Sequence, residues 1–189
     1  MPIKIYIDQG HNPREFNTGA EGNGFFEQDI TYEIGILLYE KLLANPEFTP
    51  RLSRPTPDTI LGTSNSSSLR VRVDEANSWP ADIFLSLHVN SAANARASGN
   101  EALVYSPASD VAIDLGESIL EQLTLTTGLR NRGRVYRPGL YVLKETAMPA
   151  VLVEMGFISN AYDAELLAYS PNLFATGIYR GILGYYGLL

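Results

Sequence analysis

The fold is decided first by residues 3–11, which read IKIYIDQGH. This short apolar run has the pattern of a buried strand, and it ends in His11. A second run, IFLSLH at residues 83–88, ends in His88 in the same way, and the chain contains no other histidine. If neighbouring parallel strands carry these runs, both imidazoles lie at the carboxyl edge of one sheet, where open α/β sheets bind ligands. The two runs therefore predict a shared metal ion.

Strand-like and helix-like patterns alternate along the rest of the chain, which predicts an α/β fold with a largely parallel sheet. Strands are expected at residues 3–8, 49–53, 83–89, 102–105, 140–143 and 150–154. Helices are expected at residues 29–44, 69–78, 111–126, 163–168 and 173–186, with Asp29 as the first N-cap and a long loop at residues 55–68. No internal repeat or second core is visible, so residues 1–189 are expected to form one domain.

The amino-acid composition limits the metal ligands and the partners that the protein can have. The 189 residues include no cysteine, so imidazoles and carboxylates are left to hold a metal, and these ligands suit zinc. The net charge is −7, and the basic residues form only one loose group between residues 130 and 137, which argues against a nucleic-acid partner. No apolar run approaches the roughly 18 residues that a membrane span needs.

The N-terminus enters a strand pattern directly, without the basic region and cleavage site of an export signal. We therefore expect no signal peptide within the chain as given. A chain that lacks its leader, a domain of a longer protein and a protein released by lysis all stay open.

The strand around His88 places Ser86, His88 and Asn90 on one face, because side chains alternate along a strand. A buried structural histidine is the simpler interpretation of either imidazole alone, but two histidines after two strands favour a metal. A catalytic zinc often takes two histidines and one glutamate. Glu27, in a glycine-rich loop just before a helix pattern, is the leading third ligand. An ordinary acid at a helix N-terminus explains it equally well.

Other acids compete or assist. Glu15 and Glu21, in the same loop as Glu27, are alternative ligands. Glu154 ends the apolar run VLVE at residues 151–154, and a buried, unpaired carboxylate is costly, so it is either functional or paired with a loop arginine. Asp8 either orients the His11 imidazole as a hydrogen-bond acceptor or caps the turn at Gly10.

Four motifs, in this order along the chain, carry a resemblance to a known family. They are IDQGH at residues 7–11, GNGFFEQD at 22–29, SLHVN at 86–90 and MPAVLVEMGFISN at 148–160. Together with Arg72 and residues 76–82, they resemble the zinc-dependent N-acetylmuramoyl-L-alanine amidases of the amidase_3 type, which cut bacterial peptidoglycan. Gln9 departs from this family's usual proline, and Asn12 and Pro13 replace a frequent glycine pair.

The resemblance implies a zinc ion held by His11, Glu27 and His88, with Glu154 as the catalytic acid and base. It implies a twisted, mainly parallel sheet with helices on both faces, similar to zinc amidases and carboxypeptidases. The implied reaction is hydrolysis of the amide bond between N-acetylmuramic acid and L-alanine, and hence action in the cell envelope or outside the cell.

Substrate contacts and targeting are less determined. Asn90, Arg132 and Arg134 are candidates for substrate contacts from their positions alone, and the loop at residues 55–68 is a candidate for substrate choice. A zinc peptidase or carboxypeptidase acting on stem peptides is an alternative, because the same ligands suit any amide. A non-catalytic wall-binding module is another. No separate wall-binding repeat is visible in the sequence. We therefore expect targeting to peptidoglycan to depend on a partner or on a wall-binding region outside the given residues.

Overall fold

A six-stranded sheet organises the computed structural model, which describes residues 1–107 and 109–189. The strands are β1 (Ile3–Gln9), β2 (Glu21–Gly22), β3 (Phe25–Phe26), β4 (Phe48–Leu52), β5 (Ile83–Asn90), β6 (Asn100–Val104), β7 (Asn131–Tyr136) and β8 (Ala150–Phe157). The sheet has the order β4-β1-β5-β8-β6-β7, and β2 and β3 form a separate hairpin. All neighbours in the sheet are parallel except β6 and β8, which are antiparallel.

Helices cover both faces of this sheet. They are α1 (Glu27–Leu43), α2 (Asn65–Ser78), α3 (Asp110–Thr127), α4 (Tyr141–Lys144), α5 (Ala161–Tyr169) and α6 (Pro171–Tyr185). Buried residues of α1, α3, α5 and α6 share one apolar core with the sheet, and those of α2 and α4 share a smaller core on the opposite face. The predicted α/β class is therefore confirmed. None of the helices in the described part of the chain has the length and hydropathy to cross a bilayer.

Two predictions of secondary structure are wrong in the same region. The strand expected at residues 140–143 is the short helix α4, and residues 131–136, where no strand was expected, form strand β7. Strand β7 lies at the sheet edge, and its residues are exposed or half-buried. Its sequence therefore contains arginines where a buried strand would have apolar residues, and the alternation that predicts a strand is missing. Gly133, at φ 88°, lies where the register between β6 and β7 shifts, which disrupts the period further.

All five predicted helices begin earlier than expected, and two of these starts bear on the site. Helix α1 starts at Glu27 after Phe26, so Asp29 lies inside its first turn and is not the N-cap. Helix α2 starts at Asn65, because Ser64 caps it reciprocally with Ser67, and this shortens the expected loop at residues 55–68. The residues at the starts of α1 and α2 lack the apolar period of a helix, so the hydrophobic pattern predicted both starts too late.

A buried ion pair ties the carboxyl end of β1 to its surroundings. The Arg72 side chain of α2 is 1% exposed and donates to the Asp8 carboxylate, which is also 1% exposed. Arg72 also donates to the carbonyls of Gln9 and His11, each at 2.6 Å, and Ser86 of β5 donates to Asp8 at 2.7 Å. Burial alone raises the pKa of Asp8, but Arg72 and Ser86 outweigh it and hold that pKa below its usual value.

Replacing Asp8 by asparagine leaves the Arg72 guanidinium buried without its counterion. We expect the D8N variant to lose about 3–5 kcal/mol of unfolding free energy at neutral pH, measured by urea denaturation. Because the folded-state pKa of Asp8 is lowered, its contribution is present above the unfolded pKa. The difference from wild type should therefore narrow as the pH falls below about 4.

The matched control is Asp58→Asn, which breaks the exposed pair between Arg14 and Asp58. We expect this change to alter the unfolding free energy by less than about 1 kcal/mol. Equal losses from D8N and D58N would contradict a special role for the buried pair.

Candidate active site

Three side chains from separate parts of the chain meet at the carboxyl edge of the sheet. His11 follows β1, Glu27 opens α1 and His88 lies near the end of β5. Glu27 Oε1 lies 3.1 Å from His11 Nε2 and 3.0 Å from His88 Nδ1, and all three ligand atoms fall within 4.8 Å of one another. Ligands of a tetrahedral zinc lie roughly 3.4 Å apart, given metal–ligand distances of about 2.1 Å, so this donor set fits the ion.

Glu27 is fixed from several directions. Its Oε2 accepts a hydrogen bond from the Ala20 amide at 2.8 Å, and its Oε1 accepts one from the Val89 amide at 2.9 Å. Burial alone raises the pKa of Glu27, but hydrogen bonds with His11 and His88 outweigh it and hold that pKa well below its ordinary range. Glu27 is therefore a carboxylate, as a metal ligand must be.

The structure brings neither alternative ligand to this cluster. Glu15 and Glu21 are both exposed, and the cluster of metal-binding side chains found among the described residues contains Glu27 alone as its acid. The early start of α1 is the physical reason. Helix geometry turns the first side chain of α1 toward the strand ends and leaves the loop acids outside.

His11 is held by a network that the sequence did not reveal. Its backbone has φ 72°, a left-handed conformation that is uncommon for residues other than glycine. Arg72 binds its carbonyl, and Asn17 Oδ1 lies 3.1 Å from its Nδ1. The Asn17 amide nitrogen donates to Ser68, which leaves the Asn17 oxygen to accept a hydrogen bond from Nδ1 and keeps the His11 Nε2 lone pair free for a metal.

This arrangement corrects the prediction for Asp8. Of the two roles expected for its carboxylate, accepting a hydrogen bond from the His11 imidazole or capping the turn at Gly10, the first is taken by Asn17. The Asp8 oxygens are occupied by Arg72 and Ser86, because the alternation along β1 points Asp8 to the face where α2 packs. Asp8 therefore acts on His11 only through Arg72 and the backbone.

The residues that depart from the family pattern also have defined partners. Gln9 donates from its amide to the Tyr32 carbonyl and accepts from the Arg54 amide. Asn12 bonds both the amide and the carbonyl of Leu61, each at 3.1 Å. These contacts join the first loop to helix α1 and to the segment that follows β4.

Two glycines leave room for the imidazoles. A Cβ atom at Gly10 would lie 2.7 Å from the His88 ring. A Cβ atom at Gly19, where φ is 82°, would lie 2.7 Å from the His11 ring and 2.8 Å from Glu27 Oε2. Contacts this short do not occur between real atoms of these types, so the site requires glycine at both positions.

Glu154 lies beside this cluster on the sheet itself. In the strand register it pairs with His88 of β5 on one side and with Glu101 of β6 on the other. Its Oε2 is buried and has no hydrogen-bond partner among the described residues. Burial, followed by the charges of Glu27 and Glu101, raises the pKa of Glu154 to about 8. A carboxyl with a pKa near neutrality suits proton transfer in both directions.

The candidate substrate contacts divide into two groups. Asn90 lies near the site, with its amide 3.5 Å from Glu101 Oε2. Arg132 pairs with Glu101, so the salt bridge considered for Glu154 goes to the neighbouring acid instead. Arg134 pairs with Glu117 of α3 at 2.6 Å, on the opposite face of the sheet from Glu154, and the structure does not bring it to the site.

Asn17 and Glu101 are the site residues that sequence reasoning missed. Asn17 lies in an irregular loop, where spacing carries no information about contacts. Glu101 was overlooked because the strand was expected to begin at residue 102, whereas β6 begins at Asn100. The sequence GNEALVY at residues 99–105 contained the available signal, an acid within a strand pattern. Alternation along a strand places Glu101 on the same face as Leu103.

The family model described as Amidase_3, N-acetylmuramoyl-L-alanine amidase, matches residues 5–184. The chain belongs to this family. It is 35% identical to the N-acetylmuramoyl-L-alanine amidase CwlM of Bacillus licheniformis, over 95% of the chain and 65% of that relative. It is 37% identical to the amidase LytC of Bacillus subtilis (strain 168), over 96% of the chain and 35% of that relative. The chain thus spans about two thirds and one third of these two amidases.

Solved structures of amidases agree in fold over nearly the whole chain. The catalytic domain of CwlV, an N-acetylmuramoyl-L-alanine amidase from Bacillus (Paenibacillus) polymyxa var. colistinus, superposes with a TM-score of 0.85. It is 29% identical, and the match covers 99% of both chains. The family resemblance seen in the four sequence motifs is confirmed.

The space left by Gly19 gives a test of the metal site. We expect Gly19→Ala to lower zinc affinity by about 10-fold to 100-fold, because its methyl group displaces His11 and Glu27. Zinc affinity is measured by competition with a chelator of known strength. Gly24→Ala is the matched control, since Gly24 has φ 81° but a Cβ atom there meets nothing within 4 Å. A similar loss in both variants would attribute the effect to backbone strain alone.

Proposed function

We propose that this chain hydrolyses the amide bond between N-acetylmuramic acid and L-alanine in peptidoglycan, with a zinc ion held by His11, Glu27 and His88. The observation that carries the proposal is the position of Glu154, which is in register with one of the three ligands and whose buried Oε2 has no hydrogen-bond partner in the described part of the chain. Membership of the amidase family supports the choice of bond. The proposed place of action is the cell envelope or the outside of the cell.

Zinc held by these three residues supplies a Lewis acid that polarises the amide carbonyl and makes water more acidic. Glu27 and the two imidazoles orient the ion. Arg72 and Asn17 fix the His11 backbone and ring, so that this ligand is preorganised. The side of the cluster next to the half-buried Asn90 is then left for the substrate.

Glu154 carries the proton in the proposed reaction. Its carboxylate accepts the proton of the attacking water and returns it to the L-alanine nitrogen as the amide bond breaks. Burial and the neighbouring acids Glu27 and Glu101 keep the protonated form accessible near neutral pH, which favours the return step. A bound cation opposes this shift, so the working pKa is lower than in its absence.

Changing Glu154 to glutamine removes the proton acceptor while preserving shape. We expect E154Q to bind zinc as wild type does and to lose about 100-fold to 10,000-fold in turnover. Metal content is measured by elemental analysis and turnover on purified peptidoglycan. Glu117→Gln, at an exposed position of α3, is the matched control and should keep full activity. Turnover of E154Q close to wild type would remove Glu154 from the proposal.

Product analysis tests both the bond and the metal. Peptidoglycan digested by the zinc-loaded protein should release stem peptides with free L-alanine amino termini and leave intact glycans, as read by mass spectrometry. Treatment with a chelator should abolish these products, and added zinc should restore them. Shortened peptides would indicate the peptidase alternative. No hydrolysis with zinc bound would favour a wall-binding module, and full activity after metal removal would refute zinc dependence.

The two curated relatives extend beyond the matched region, and this bears on targeting. We propose that recognition of the wall as a whole uses a partner or a wall-binding region in addition to the residues described. The catalytic cluster itself lies entirely within the matched part of the chain.

A further inference from the structure

The two sides of the candidate site differ in charge. In the first loop and the first turn of helix α1, three exposed acids, Glu15, Glu21 and Asp29, outnumber the one exposed base, Arg14. On the side of β7, arginines dominate residues 130–137. A substrate that carries negative charge on one of its two parts therefore meets an asymmetric surface, and we expect its anionic part to lie toward β7.

The arginines of this segment are not equivalent. Arg132 is committed to Glu101, and Arg134 is committed to Glu117 on the other face. Arg137 is exposed and, within residues 1–107 and 109–189, forms no ion pair or side-chain hydrogen bond. Only its backbone is held, through a hydrogen bond from its amide to the Val104 carbonyl at 2.8 Å. Its guanidinium is therefore available to a ligand.

The register places Arg137 on the same face of the sheet as Glu154. Val135 pairs with Leu103, and Leu103 shares a face of β6 with Glu101, which pairs with Glu154. Pro138 favours an extended backbone at Arg137, so the alternation of β7 continues and Arg137 shares the face of Val135. Along the strands, the Arg137 amide donates to the carbonyl of Val104, which pairs with Val151, three residues before Glu154 on β8. The Arg137 backbone therefore lies roughly 10 Å from Glu154 along the strand direction, where a substrate that extends from the site over this face would pass.

We propose that Arg137 binds a carboxylate of the stem peptide and so orients the peptide part of the substrate over β6 and β7. This inference rests on the proposed amidase function, in which the peptide is the leaving part. Stem peptides carry free carboxylates beyond their first alanine. The unsubstituted hydroxyls of the glycan strand carry no charge. Arginine suits this partner because its planar guanidinium matches a carboxylate with two parallel hydrogen bonds.

The test uses two soluble N-acetylmuramoyl tripeptides that differ only in whether the peptide carboxylates are free or amidated. For Arg137→Gln we expect KM for the free-carboxylate substrate to rise about three-fold to ten-fold, with kcat little changed. KM for the amidated substrate should stay within about two-fold of wild type. Arg137→Lys should recover part of the loss, because it keeps the charge but not the two-pronged geometry.

Arg134→Gln is the matched control, since it removes an arginine from the same strand on the opposite face of the sheet. It should leave both KM values unchanged. Circular dichroism and urea denaturation check that each variant is folded. An equal rise in KM for both substrates, or no rise for either, would overturn the role of Arg137. Failure of the wild-type protein to cleave either tripeptide while zinc is bound would instead count against the amidase function itself.

Raising the ionic strength gives an independent measurement on the same proteins. The advantage of the free-carboxylate substrate should shrink with added salt in wild type, because the guanidinium is exposed and its charge is screened. In R137Q the ratio of the two KM values should be nearly independent of salt. A salt dependence that survives R137Q would assign the recognition to other cations and contradict the proposal.

Discussion

The buried guanidinium of Arg72 is the interaction on which the rest of the site depends. It neutralises Asp8 inside the protein and holds the carbonyls of Gln9 and His11. Through Asp8 it also reaches Ser86 on the neighbouring strand. One side chain of α2 thereby fixes where β1 ends, how the chain turns at His11 and how β1 lies against β5. The ligands can converge only because this turn is held in a left-handed conformation.

Glu27 is a buried acid and Glu154 a half-buried one, and their surroundings push them toward opposite protonation states. Glu27 is surrounded by donors, namely two backbone amides and two imidazoles, and stays ionised. Glu154 has acidic neighbours and a buried oxygen that finds no hydrogen-bond partner within residues 1–107 and 109–189, and it holds a proton more readily. Two carboxyls a short distance apart thus acquire the separate tasks of holding a metal and moving a proton. Their division of labour follows from their neighbours and not from their residue type.

The parts of this picture that were predictable are those that depend on periodicity. The strands that carry His88 and Glu154 were expected from their apolar runs, but the last strand continues to Phe157, so Glu154 lies inside it and not at its end. Strand β7 and the start of α2 were missed, because exposed arginines and a run of serines carry no apolar period. Asn17 was not predictable, since its contact with His11 depends on the path of an irregular loop. Arg72 belonged to the family pattern, but its burial appears only once α2 packs against β1.

The reversed direction of β6 determines which loops border the catalytic groups. Because β6 runs against β8, its first residues and not its last lie beside the ligand edge, as the pairing of Glu101 with Glu154 shows. The connection from β5 to β6, residues 91–99, therefore forms part of the rim, whereas the connection that follows β6 begins at the remote edge. Length changes in homologous chains should be tolerated after residue 104 with little effect on catalysis. Changes between residues 91 and 99 should reshape the mouth of the site and diversify the walls that such proteins can digest.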